Sequence, residues 1–195
     1  MARLRTFVAL ELSGGVKSRA RVLVDRLRVT DATINWVQPE NMHLTLKFLG
    51  DVQETDTPEV CRCVARAAAK VEPFEILFRG AGAFPSVGHP RTLWIGVEEG
   101  TEYLLELQSA IEEALHKDLG FGKEFRRFQP HLTIGRVKHS GSDGGRRLQE
   151  LITQNAEFDA NLSVVDEVVT FASFLSREGP TYQALDHAPL AGEAY

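Results

Sequence analysis

Cysteine is scarce in this chain of 195 residues: there are two, Cys61 and Cys63. They stand one residue apart inside a helical pattern, which gives no disulfide framework and only half of a zinc site. Cys63 shares a helical face with Val60, Val64 and Ala67, the setting of a buried structural thiol. No apolar run approaches the ~20 residues needed to span a bilayer. Met1-Ala2-Arg3-Leu4-Arg5 leads into a strand-like segment rather than a signal-peptide core. These absences point to the cytoplasm and to no membrane contact. Positive charge is also in deficit, with a formal net charge of −5, which argues against a general binder of long nucleic acid. A pocket for one phosphate stays open. Arg126, Arg127, Arg136 and Lys138 surround one stretch of sequence, either as such a local cluster or as a solvated basic face.

Several catalytic signatures are missing too. The chain has no His-Glu-x-x-His helix, no Gly-x-Ser-x-Gly elbow and no Gly-x-x-x-x-Gly-Lys phosphate loop.

What is present is a duplicated tetrapeptide: His43-Leu44-Thr45-Leu46 and His131-Leu132-Thr133-Ile134. Each lies in a short alternating run that reads as a β-strand. Residues two apart on a strand share a face. Each segment therefore presents an imidazole beside a hydroxyl, with Leu44 and Leu46, or Leu132 and Ile134, packing behind.

At 43% hydrophobic and 25% charged, the composition is that of a globule with a sizeable core. Strands are expected at 6–10, 35–37, 43–49, 74–84, 92–97, 158–163, 167–174 and 182–185. Gly50-Asp51 would end the first motif strand. Helices are expected from Val16 to Arg28, from Thr57 as N-cap to about Lys70, from Thr101 as cap to a stop at Gly120, and from Arg146 to Thr153. Residues 84–90 and 140–145 read as loops. A loop, a helix beginning some fourteen residues on, and another strand follow each motif, a weak internal repeat. The expected architecture is α+β: two pseudo-symmetric antiparallel lobes with outer helices and a central cleft, within a single domain spanning 1–195. Monomer is the default, since no apolar helix is left over.

Histidine titrates near neutrality, so one imidazole can take a proton from water while the other gives one to a departing alkoxide. Threonine hydroxyls on the same faces can hold oxygens where charge builds up. This layout suits displacement at phosphorus. Neither motif histidine has an adjacent Asp or Glu, and Asp51 looks like a turn residue, so a metal-free site is expected. The other histidines, His89, His116, His139 and His187, read as solvated or structural.

These residues resemble the 2H phosphoesterases, and among them the RNA 2′,3′-cyclic phosphodiesterases, or 2′-5′ RNA ligase-like proteins. The likeness covers most of the chain. It includes Arg5–Leu10, Trp36–Met42, Lys47–Gly50, Phe84-Pro85, Pro90–Trp94, Phe128–Arg136, and Gly179-Pro180-x-Tyr182. It implies a bilobal fold without metal or cofactor, hydrolysing RNA ends or nucleotides with a 2′,3′-cyclic phosphate to a 2′-phosphomonoester. It implies His43 as general acid, His131 as general base, and Thr45 and Thr133 as phosphate holders. Phe48 matches a position for stacking on a base, and Arg136 one for contacting substrate. Ideal strand parity puts both opposite their histidines, so they reach the site only if a bulge or the strand's end re-aims them. Arg91 and Tyr182 are further candidates for lining the cleft. Reversible 2′-5′ ligation, hydrolysis of a small cyclic nucleotide, and a non-catalytic module binding nucleotides or RNA ends are the competing readings.

Overall fold

The computed structural model describes residues 2–28, 31–176 and 179–192. Among these residues, alternating apolar positions build nine strands: β1 (Arg3–Glu11), β2 (Thr33–Trp36), β3 (His43–Gln53), β4 (Phe74–Ser86), β5 (His89–Glu99), β6 (His131–His139), β7 (Asp159–Val165), β8 (Glu167–Ser176) and β9 (Gly179–Pro189). Among the described residues four α-helices join them: α1 (Gly14–Leu27), α2 (Thr57–Ala68), α3 (Thr101–Leu119) and α4 (Ser142–Gln154). The strands form a four-stranded sheet, β3-β1-β8-β9, and a five-stranded sheet, β2-β6-β5-β4-β7. Every pairing is antiparallel.

The two halves are intertwined. After the first motif strand and α2, β4 joins the other sheet; after the second motif strand, α4 and β7, β8 returns to the first. Helices α2 and α3 pack together over the four-stranded sheet, α1 and α4 over the five-stranded one. One core, including Val8, Leu10, Leu44, Leu46, Ile95, Ile111, Leu132 and Ile134, lies beneath both sheets. A smaller cluster of Phe7, Ala9, Val169 and Phe171 lies on the opposite face of the four-stranded sheet. That face belongs to the cleft.

Several expectations from sequence are corrected. Gly50-Asp51 does not end β3, because pairing with β1 runs on to Arg3 opposite Gln53. Residues 84–90 are mostly strand: β4 reaches Ser86, β5 starts at His89, and Val87-Gly88 turns the hairpin. Thr57 and Thr101 are each the first residue of a helix, capped by Asp56 and Gly100. The Thr57 hydroxyl donates back to the Glu54 carbonyl (2.8 Å), so it does not accept from a helical amide. Residues 142–145, expected in a loop, are the first turn of α4. Gly144 serves close packing, since a Cβ there would lie 3.1 Å from the backbone at Asp31 and Ala32. Gly120 does end α3, in the left-handed conformation that favours glycine (φ 71°).

Candidate active site

The motif strands β3 and β6 lie side by side, one from each sheet. Leu44, Leu46, Leu132 and Ile134 are buried in the shared core. His43, Thr45, His131 and Thr133 are half-buried on the other face.

Parity then breaks at the same place in both strands. On β1, Ala9 pairs with Thr45 and Val8 with Lys47, so Leu46 is an extra residue; Phe7 pairs with Phe48. Residues 7, 9 and 11 of β1 share a face, so their partners Phe48, Thr45 and His43 share one too. On β5, Trp94 pairs with Thr133 and Leu93 with Gly135, leaving Ile134 extra, and Thr92 pairs with Arg136. Arg136 thereby joins His131 and Thr133 on the cleft face. The bulges turn Phe48 and Arg136 toward the histidines, and Lys47 and Gly135 away from them.

Each imidazole is held alike. Nδ1 of His43 donates to the Asn41 carbonyl (2.8 Å), and Nδ1 of His131 to the Gln129 carbonyl (2.7 Å). A carbonyl only accepts, so the proton is on Nδ1 and Nε2 is left free for chemistry. Asn41 also donates to the Pro180 carbonyl (3.0 Å), linking this segment to β9.

Aromatic rings crowd the pair. The His43 ring centroid is 4.8 Å from Phe7 and 5.2 Å from Tyr182, which meets it edge-on. Phe48, 60% exposed, stands 6.0 Å from Phe7. Phe84 meets the His131 ring edge-on at 4.9 Å. Burial pushes His43 down to about 4, helped by the positive charges of Lys17 and Arg136 and opposed by the Asn41 hydrogen bond. Burial also lowers His131, against its hydrogen bond to Gln129, and Arg136 adds to that lowering. Tyr182 is pushed up by burial while Arg136 and Arg5 pull it down. Arg136 thus acts electrostatically on groups of both sheets.

Arg91 is exposed beside an irregularity of β5, where Phe84 pairs with Thr92 and Pro85 with Pro90. Phe7, Phe84, Phe171 and Trp94 face the cleft, though sequence reasoning did not single them out as site residues. Their alternation with buried aliphatics was the available signal. Trp94 shares the Thr133 face, and its buried indole N–H has no hydrogen-bond partner among the described residues. Of the other histidines, His116 donates to the Phe121 carbonyl (2.8 Å), and His187 pairs with Glu167 (2.9 Å). His89 and His139 are exposed. Both cysteines are buried and free. Among the described residues no group of three His, Cys, Asp or Glu side chains is placed to hold a metal ion.

Two interlocked antiparallel sheets with a histidine-threonine pair on each define a two-lobed phosphoesterase. The chain belongs to the LigT-like phosphoesterase family, whose sequence profile matches it twice, over residues 10–94 and 95–182, one motif in each. It is 37% identical over 184 residues to the RNA 2′,3′-cyclic phosphodiesterase of Methanothermobacter thermautotrophicus, covering 94% of this chain and 97% of that one. With the Thermotoga maritima protein of the same name it shares 32% over 189 residues, 97% of each chain. Its fold matches the crystal structure of TT0787 from Thermus thermophilus with a TM-score of 0.83, at 26% identity over 98% of this chain and all of that one. Escherichia coli LigT complexed with 3′-AMP matches with a TM-score of 0.76, at 21% identity, covering 96% of this chain and 98% of the other.

Proposed function

We propose that this enzyme hydrolyses the terminal 2′,3′-cyclic phosphate of RNA to a 2′-phosphomonoester, without a metal, by general acid-base catalysis between His43 and His131. The observation that carries this reading is the matched presentation of the two imidazoles. Each is locked through Nδ1 to the carbonyl two residues earlier, with Nε2 free and a threonine on the same face. The relatives named for this reaction cover nearly the whole chain.

In the proposed reaction, neutral His131 takes a proton from water as its oxygen attacks phosphorus. The bond from phosphorus to the 3′ oxygen breaks, and protonated His43 gives that oxygen its proton. The products are a 3′-hydroxyl and a 2′-phosphate. Thr45 and Thr133 donate to the non-bridging oxygens and Arg136 balances their charge. Phe48 offers its exposed face to the terminal base, and Tyr182 walls the His43 side.

His43 is pushed down to about 4 in the free protein, so it takes up its proton from solvent as the substrate binds. A phosphate anion beside the imidazole offsets Arg136 and favours the imidazolium.

The test is to incubate the protein, with excess chelator, with an oligoribonucleotide ending in a 2′,3′-cyclic phosphate. The expected product is a 2′-phosphate that resists a 3′-specific phosphatase. His43→Ala and His131→Ala should each lower turnover by about a hundredfold or more while melting cooperatively. Undiminished turnover in either variant would refute the two-histidine mechanism. Conversion that stops with chelator would refute its metal independence.

A further inference from the structure

Residues 120–130, between α3 and β6, form a strap held at both ends. At the near end, Lys47 of the first motif strand donates to the Gly122 carbonyl (2.9 Å) and to Glu112 Oε1 (2.8 Å). That same carboxylate oxygen accepts from the Glu124 amide (2.8 Å). Lys123 pairs with Glu113. At the far end, Phe128 packs against the core and the Gln129 carbonyl holds His131. The strap therefore runs from Lys47, on the inner face of the first motif strand, to the second motif histidine.

Between these anchors lie Phe125, Arg126 and Arg127, all exposed. Phe125 is fully exposed, with no core packing to account for an aromatic ring there. Among the described residues, no carboxylate pairs with the guanidinium of Arg126 or Arg127. On a chain of net charge −5, two unpaired arginines beside an aromatic ring are a local departure from the overall sign. A ring that stacks on any base, next to guanidinium groups that pair with phosphates, is the chemistry of single-strand binding. Phe125 precedes His131 by six residues, so it stands within ~20 Å of the histidine.

We propose that Phe125, Arg126 and Arg127 form a subsite for the RNA strand upstream of the cyclic end. The terminal nucleotide sits between the motif histidines. The preceding phosphates meet Arg126 and Arg127, and a preceding base stacks on Phe125. The subsite would make the enzyme prefer a polynucleotide end over a mononucleotide with the same cyclic phosphate. This rests on the cyclic-end reading above, and the experiment separates the two.

Phe125→Ala and the double substitution Arg126→Gln with Arg127→Gln are compared with the unaltered protein on two substrates, a cyclic-ended oligoribonucleotide and a nucleoside 2′,3′-cyclic monophosphate. Binding of a labelled oligoribonucleotide ending in 2′-phosphate is followed in parallel by fluorescence anisotropy. The double variant should fall about tenfold or more in kcat/KM on the oligonucleotide, and Phe125→Ala about tenfold. Both should stay within about twofold on the mononucleotide, which does not reach the strap. The slope of log affinity against log salt should shrink by about 1.4 in the double variant, ~0.7 for each single-strand phosphate that no longer meets an arginine. Equal losses on both substrates, or no loss on either, overturn the subsite. If the unaltered protein hydrolyses neither substrate, the cyclic-end reading fails. Anisotropy still decides the subsite: binding weakened in the variants supports it, and binding unchanged overturns it.

Discussion

Leu46 and Ile134 occupy the same place in the two motif strands: each is the extra residue in a bulge directly after the motif threonine. That one residue changes which side chains follow the threonine on the cleft face. Without it, strict alternation would send Lys47 and Gly135 to the histidines. With it, Phe48 and Arg136 go there, while Lys47 turns into the protein to meet Glu112. The two halves of the site thus diverge in chemistry through a shared backbone device, an aromatic face from one half and a positive charge from the other.

Arg136→Gln tests the charge. Its guanidinium disfavours the imidazolium form of both histidines, so removing it should raise the pKa of each. Phosphate binding should weaken at the same time. On the proposed mechanism kcat/KM falls by about a hundredfold, the usual scale for losing one oxyanion partner. Imidazole titration by NMR in the free protein measures the first effect. Unchanged titration of both histidines would show that Arg136 does not face them.

The histidines and threonines were legible in the sequence because alternation is a local property, readable from each tetrapeptide alone. The bulges were not, because the residue skipped in a ladder depends on the partner strand. β1 and β5 reveal it only once paired. The hairpin at residues 84–90 likewise depends on its partner strand. Its prolines looked like punctuation, yet Pro85 and Pro90 face each other across the ladder, where neither is asked for a central amide. The start of α4 depends on a distant segment too, since Gly144 meets the chain at Asp31 and Ala32. A glycine required for contact with a distant segment looks, in sequence, like a loop glycine. The alternating strands, the stripe of α3 and the duplicated fold needed no such partner information.

The pH dependence of the reaction follows from burial. Both motif histidines lie below 6.5 in the free protein, His43 at about 4. kcat/KM reports the free enzyme, so its bell should have both histidine limbs on the acid side of about 6.5. Bound phosphate stabilises each imidazolium, which raises its pKa. The limbs in kcat should therefore lie at higher pH than those in kcat/KM, by about one unit or more. Superimposable profiles for the two constants would mean that the anion does not sit beside the imidazoles.

Lys47 is 3% exposed, and its ammonium joins β3 to α3 and to the strap. Burial opposes ionisation of Glu112, yet hydrogen bonds from Lys47, the Glu124 amide and Gln108 bring the carboxyl below its ordinary range. Lys47→Met strands that charge and frees Gly122, so it should cost about 3 kcal/mol. For a chain of this size that is a drop in Tm of about 6–12 °C. Thermal melts should also show that adding Glu112→Leu restores part of the loss, since an apolar pair leaves no unpaired charge. A double variant less stable than Lys47→Met would show that the pair is not the source of the effect.

Gly82 and Gly88 lie in the same hairpin and should respond unequally to a methyl group. Trp94 pairs with Gly82 on one side and Thr133 on the other, so its ring spans the floor between the hairpin and the second motif. A Cβ at Gly82 would lie 2.2 Å from the Trp94 ring, closer than atoms can approach, whereas one at Gly88 meets nothing nearer than 3.9 Å. Gly82→Ala must move the indole, at a cost of about 1–3 kcal/mol. The displacement should reach Thr133 and lower kcat/KM as well as Tm, with a shift in tryptophan emission. Gly88→Ala should change stability by less than about 0.5 kcal/mol and leave emission and turnover alone. Equal effects from the two substitutions would mean that hairpin flexibility, and not contact with Trp94, sets the geometry of the second motif.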